Sequence, residues 1–175
     1  MMIVLFRVVF AAALVVYGAM LLWTLPAIQD AADGLAAFDM RPGGYTHAEA
    51  LAFLSALSDE GRAMYLGPQR MLDTVYPALM SAVLVLATWR MTTERPWVLR
   101  LLVLVVPISA GWQDYVENAR VSVLLTQPVA TVTEAQVAAA STATVWKSGL
   151  TTLALALVLV LLAQSIWKRR RGRRP

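Results

Sequence analysis

Apolar residues in this chain gather into four long runs separated by polar stretches of very unequal length. Ile3 to Leu25 holds one charge, Arg7, over about the twenty residues that a helix needs to cross a bilayer, and predicts a first span at 3–25. No small-x-small site follows Trp23 and Pro26, so this segment is expected to stay in place rather than be cleaved as a leader. Further runs predict spans at 70–90, 97–118 and 132–167. The last would be about 54 Å long as a helix against a hydrocarbon core near 30 Å, so its first turns are expected to stand outside the membrane. The fold class expected is all-α, a four-transmembrane-helix bundle forming a single membrane domain over 1–175.

Between the first two spans lies a polar, acidic stretch, 27–69, too long to be structureless. Arg41-Pro-Gly-Gly44 signals a turn, and Thr46 with Glu49 reads as a capping box opening a short helix through about Leu57. Ser58 is placed to cap a second short helix ending at Gly67-Pro68, where the next span begins. Thr131 with Glu134 reads as another capping box before the fourth span.

Composition agrees with lipid as the solvent: 59% of residues are hydrophobic and only 15% charged, against about 25% charged in an average soluble domain. The chain has no cysteine, which excludes disulfides, iron–sulfur clusters and thiol relays, and its one histidine, His47, cannot form a bis-histidine haem site. His47 is expected to be a solvated residue at a helix start. No phosphate-binding glycine loop, nucleophile elbow or metal-binding histidine pair occurs, so neither a cofactor nor a metal is expected. The basic pI near 9.9 comes from the tail at 168–175, KRRRGRRP, which reads as a stop-transfer and anionic-lipid contact and not as a nucleic-acid site.

With both termini cytoplasmic, the inner side carries Arg7, Arg90, Arg95, Arg100 and the tail against one acid, Glu94. The outer side carries the other ten acidic residues, which is the asymmetry that the positive-inside rule requires. Trp23, Trp112 and Trp146 fall at outer span ends while Trp89, Trp97 and Trp167 fall at inner ends, as two interfacial belts.

Candidate chemistry sits at the outer ends. In Gly111–Arg120 (GWQDYVENAR), Asp114, Glu117 and Asn118 stand at i, i+3 and i+4 and share one helix face. Pro77 lacks an N–H and so leaves the carbonyl of Asp73 without its helical donor. The fourth span shows a polar stripe, Thr144, Lys147, Ser148 and Thr151, which should face protein or water. Counting outward from the inner belt puts Asp73, Asp114, Glu117, Asn118 and Lys147 at one depth, with Tyr76 on the second span and Arg62, Tyr65, Arg70 and Arg120 beside them. Such a cluster can be an ion-pair network that sets helix register, or a site for acid/base chemistry or a lipid headgroup.

The pieces Phe38-Asp39-x-Arg41-Pro42-x-x-Tyr45, Gly61-Arg62-x-x-Tyr65, Asp73 with Pro77, Asp114-x-x-Glu117-Asn118 and Thr144-x-x-Lys147 together resemble a family of small uncharacterised bacterial membrane proteins with four spans. That resemblance covers most of the chain and implies a multi-pass protein of the bacterial inner membrane, without implying an activity.

The function expected from the cluster is binding of an amphiphile or lipid headgroup at the outer interface, with Lys147 and Arg62 on an anionic head and Asp73, Asp114 and Glu117 orienting them. A membrane enzyme using Asp114, Glu117 or Asp73 in acid/base chemistry, and a structural or assembly subunit of a membrane complex, are the alternatives. The partners expected are membrane lipids and another membrane protein.

Overall fold

The computed structural model describes residues 2–171, so the last four residues of the basic tail lie outside the described residues. Every element among the described residues is helical. Four helices are long and apolar enough to cross a membrane: α1 (Met2–Asp30), α3 (Asp59–Met91), α4 (Trp97–Thr126) and α5 (Glu134–Arg171), with the short α2 (His47–Ala56) between α1 and α3. The protein is a multi-pass membrane protein with an all-α bundle. Helix α4 packs against both α3 and α5, α3 touches α5, and α1 docks on α3 at the side of this three-helix core. The apolar stretches of α1 and α5 are left almost wholly uncovered by the rest of the protein, so residues such as Val8, Val15, Leu22, Leu153 and Leu159 present the surface that hydrocarbon covers.

The helices are longer than their apolar runs. Helix α1 continues to Asp30 past Pro26, and the expected break at Gly67-Pro68 is absent: the short helix capped by Ser58 runs on into the second span as one helix. In both places the chain accommodates its proline with a π turn, Met20–Thr24 in α1 and Tyr65–Gln69 in α3, where the wider i to i+5 spacing relieves the clash a proline ring causes in a regular helix. The two π turns face each other. Thr24 Oγ1 donates to Gln69 Oε1 at 2.5 Å, and both side chains are fully buried.

Residues 31–58 fold as a cap over one end of the bundle. The Thr46–Glu49 capping box is present: Glu49 N donates to Thr46 Oγ1, and Thr46 N donates to Glu49 Oε2 at 2.7 Å. Phe38, Tyr45, Phe53 and Tyr65 form an aromatic cluster that packs with Ile28, Leu54, Leu124 and Leu125. Arg41 lies against three of these rings and donates twice to the carbonyl of Ala36, at 2.9 and 2.7 Å, closing the turn. Gly44 has a φ of +84° and brings Tyr45 N to Ser141 Oγ of α5 at 2.8 Å, an approach that a Cβ would block. His47 is half-buried, not solvated, and its Nε2 lies 3.2 Å from the carbonyl of Val132, tying α2 to the turn before α5.

The second capping box is displaced by two residues. Thr131 ends a 3-10 turn with its hydroxyl on Pro128, and Thr133 with Gln136 caps α5 instead. Two Thr-x-x-acceptor frames overlap here, and the 3-10 turn that follows Pro128 uses up the first. Helix α4 runs through Pro107 and Gly111, and at this pair α3 comes close: a Cβ on Gly111 would collide with Ser81 Oγ, which donates to Pro107 O at 3.0 Å.

Gly111→Ala should therefore destabilise the folded protein by about 1–3 kcal/mol, with Ser81→Ala restoring part of the loss, as read from thermal melts in detergent. Unchanged melting of Gly111→Ala would contradict the close α3–α4 approach. The Thr46 N–H and hydroxyl hold the Glu49 carboxyl below its ordinary range. A lowered folded-state pKa contributes stability above the unfolded value of about 4.3, lost as pH falls through the folded value. NMR titration of Glu49 should show that depressed midpoint, and Thr46→Ala should move it up; an ordinary midpoint in the unmodified chain would count against the capping box.

Candidate functional site

The polar cluster is where the bundle meets its cap. Asp114, Glu117 and Asn118 lie on the buried face of α4, at 7%, 0% and 7% exposure, because the i, i+3, i+4 spacing turns all three toward α3 and α5. Lys147 of α5 reaches between them, with Nζ 3.1 Å from Asp114 Oδ1 and 2.5 Å from Glu117 Oε2. These are ion pairs by distance, although neither carboxylate oxygen is met at a hydrogen-bonding angle. The stripe on α5 behaves as its spacing indicates: Thr144 is buried, and Lys147, Ser148 and Thr151 are half-buried, while Val145 and Trp146 face outward.

Asp73 joins from α3 at 5% exposure. The carbonyl that Pro77 leaves without a helical donor is taken by Asn118, whose Nδ2 donates to Asp73 O at 2.9 Å. Arg70 Nη1 donates to the backbone carbonyl of Asn118 at 2.8 Å, so α3 and α4 are crosslinked through both the side chain and the backbone of Asn118.

The loop supplies a fourth carboxylate that span-by-span reasoning did not place in the cluster. Asp39, in the 3-10 turn Phe38–Met40, accepts from Gln69 Nε2 at 3.3 Å through Oδ2, while its Oδ1 is buried with no hydrogen-bond partner among the described residues. Lys147 is in electrostatic reach of Asp39, Asp73, Asp114 and Glu117 together. Glu117 Oε1 is likewise buried and unpartnered. Asp39, Gln69 and Thr24 were visible only as loop and span residues, because the chain of contacts linking them runs across two helices and the cap. The one sequence signal was the Phe38-Asp39-x-Arg41 piece.

Other expected members make different contacts. Arg62 does not reach the carboxylates; its guanidinium donates to the carbonyls of Leu125 and, at 3.3 Å, Leu54, near the ends of α4 and α2, where backbone acceptors lack helical donors. Arg120 is exposed. Tyr76 stacks on Tyr17 of α1, with centroids 5.3 Å apart. Tyr65 is buried in the aromatic cluster under the cap, and burial pushes the phenol of nearby Tyr45 well above its ordinary value, keeping it neutral.

A small recess, about the size of one water molecule, opens beside the cluster. Asp39, Tyr65, Gln69, Arg70, Asp73 and Asn118 line it, with Leu66, Val121 and Leu125 as its apolar side. Among the described residues no three carboxylate or histidine groups are gathered as metal ligands. Compared with protein-family models, with curated proteins and with solved structures, the chain finds no significant match.

Removing the cation should expose what it holds. Lys147→Met leaves Asp114 and Glu117 buried and uncompensated, and is expected to destabilise by about 3–5 kcal/mol, whereas adding Asp114→Asn and Glu117→Gln should recover much of this. Thermal melts that rank the triple variant no better than Lys147→Met would rule out the ion pairs as the cause.

Proposed function

We propose that this membrane protein binds an amphiphile at its acidic, capped end, by admitting a hydrogen-bond-donating head group, an ammonium or hydroxyl, into the recess beside Asp39 and Asp73. The observation that carries the reading is the buried, unpartnered Oδ1 of Asp39, a residue that with Asp73 lines a water-sized recess. An ammonium fits such a space and a phosphate does not. Arg70, on the same wall, is placed to meet a phosphate that stays outside, so a zwitterionic head with a primary amine matches both charges. Lys147 and Arg62 are engaged with carboxylates and helix-end carbonyls, which shifts the reading from an anionic head to one carrying a donor. The setting belongs to the same proposal: a bacterial inner membrane, with the cap outside, both termini cytoplasmic, and kinship with the small four-span family that the sequence pieces resemble.

A second reading is supported by Lys147 itself, which bridges two carboxylates and so serves as a latch between α5 and α4. In that case the cluster holds the cap in place for assembly with another membrane protein.

Native mass spectrometry of the full chain extracted from nanodiscs separates the two. Phosphatidylethanolamine should be retained over phosphatidylcholine, whose methylated head cannot donate, by about tenfold, equivalent to about 1.4 kcal/mol. Asp39→Asn should erase that preference with little change in melting. Equal retention of both lipids, or a preference that survives Asp39→Asn, would reject amine binding; a lowered melting temperature without any change in lipid preference would favour the latch.

A further inference from the structure

At the opposite, basic end, the start of α1, the end of α3, the turn 92–96 and the last turns of α5 enclose a separate cleft of about 550 Å³. That volume is within the range of small-molecule sites, about 300–1,000 Å³. Met2, Met91, Leu162 and Ile166 make its apolar wall, while Arg90, Arg95 and Lys168 give it positive charge against a single acid, Glu94. Two polar ties hold α5 over the turn: Lys168 Nζ donates to Glu94 Oε2 at 2.6 Å, and Arg95 Nη2 to Gln164 Oε1 at 3.3 Å.

The position of the cleft along the bundle indicates what reaches it. Trp89 and Trp167 stand at the same level, and the guanidinium of Arg100 stacks 3.6 Å from the Trp89 ring centroid. Aromatic side chains with polar edges gather at headgroup depth. The cleft therefore opens where lipid phosphates lie, with hydrocarbon-facing surface on α1 and α5 leading away from it.

We infer that this cleft binds the head of an anionic glycerophospholipid drawn from the adjacent leaflet, its phosphate between Arg90 and Arg95 and its acyl chains along Leu162 and Ile166. The apolar wall is the reason for choosing a lipid over a free phosphate ion, which would leave that wall unused. Glu94 has a place in this arrangement. Its carboxyl, held below the ordinary range by the Lys168 hydrogen bond, keeps one cation engaged and leaves the two arginines to set the preference for charge. This inference is independent of the capped end, where the charges are of opposite sign.

The test uses the full chain in phosphatidylcholine nanodiscs doped with phosphatidylglycerol, counting lipids that stay bound on extraction by native mass spectrometry. Phosphatidylglycerol should be retained about tenfold over phosphatidylcholine, and Arg90→Gln with Arg95→Gln should remove that excess. Arg170→Gln with Arg171→Gln, on the tail, should leave it unchanged, and Leu162→Gln should weaken it without touching the cations. Arg95→Lys, which keeps the charge, should retain the lipid and serves as the folding control. The inference is overturned by equal retention of the two lipids, by an excess that follows the tail pair instead of the cleft pair, or by full displacement with millimolar inorganic phosphate.

Discussion

The Lys147 ammonium, placed between Asp114 and Glu117, is the contact on which the upper half of the molecule depends. Glu117 is wholly removed from solvent, and a carboxylate there is tolerable only because a cation stands 2.5 Å away. An apolar substitute would pack the same space without charge. It would not specify rotation, whereas a lysine that must find two carboxylates one helical turn apart sets the register of α5 against α4.

Around that pairing, the structure resolves the backbone defects that three of its prolines create. Pro77 frees the carbonyl of Asp73, and Asn118 supplies the donor. Pro26 and Pro68 are accommodated by π turns, which meet through Thr24 and Gln69; Gln69 then reaches Asp39 in the cap. The cap is thereby tied to the same polar layer as the helices. Its apolar aromatic cluster covers that layer, and the low dielectric there strengthens every pairing beneath it while raising the cost of any that is missing.

The two ends of the bundle are chemically opposite. One is acidic, closed by folded chain, and offers a water-sized recess with carboxylate oxygens to spare. The other is basic, holds a far larger cleft, and is walled partly by leucine and methionine. A bilayer presents amines and phosphates at both surfaces, and the two binding proposals assign one of these features to each end.

Much of this was legible in the chain alone. Four long apolar runs, one capping box at Thr46, the shared face of Asp114, Glu117 and Asn118, and the stripe through Lys147 all depend on local periodicity, and helices preserve local periodicity whatever they pack against. Span ends were less legible, because a helix continues for as long as its hydrogen bonds are met. Gly67-Pro68 looked like a stop until a π turn carried α3 through it. Only the tertiary structure decided who met whom: that Arg62 went to helix-end carbonyls instead of carboxylates, that Tyr76 turned to α1, and that Asp39 joined the cluster from the cap. Those choices turn on distances between segments far apart in the chain, and composition and spacing carry no information about such distances until the helices have packed.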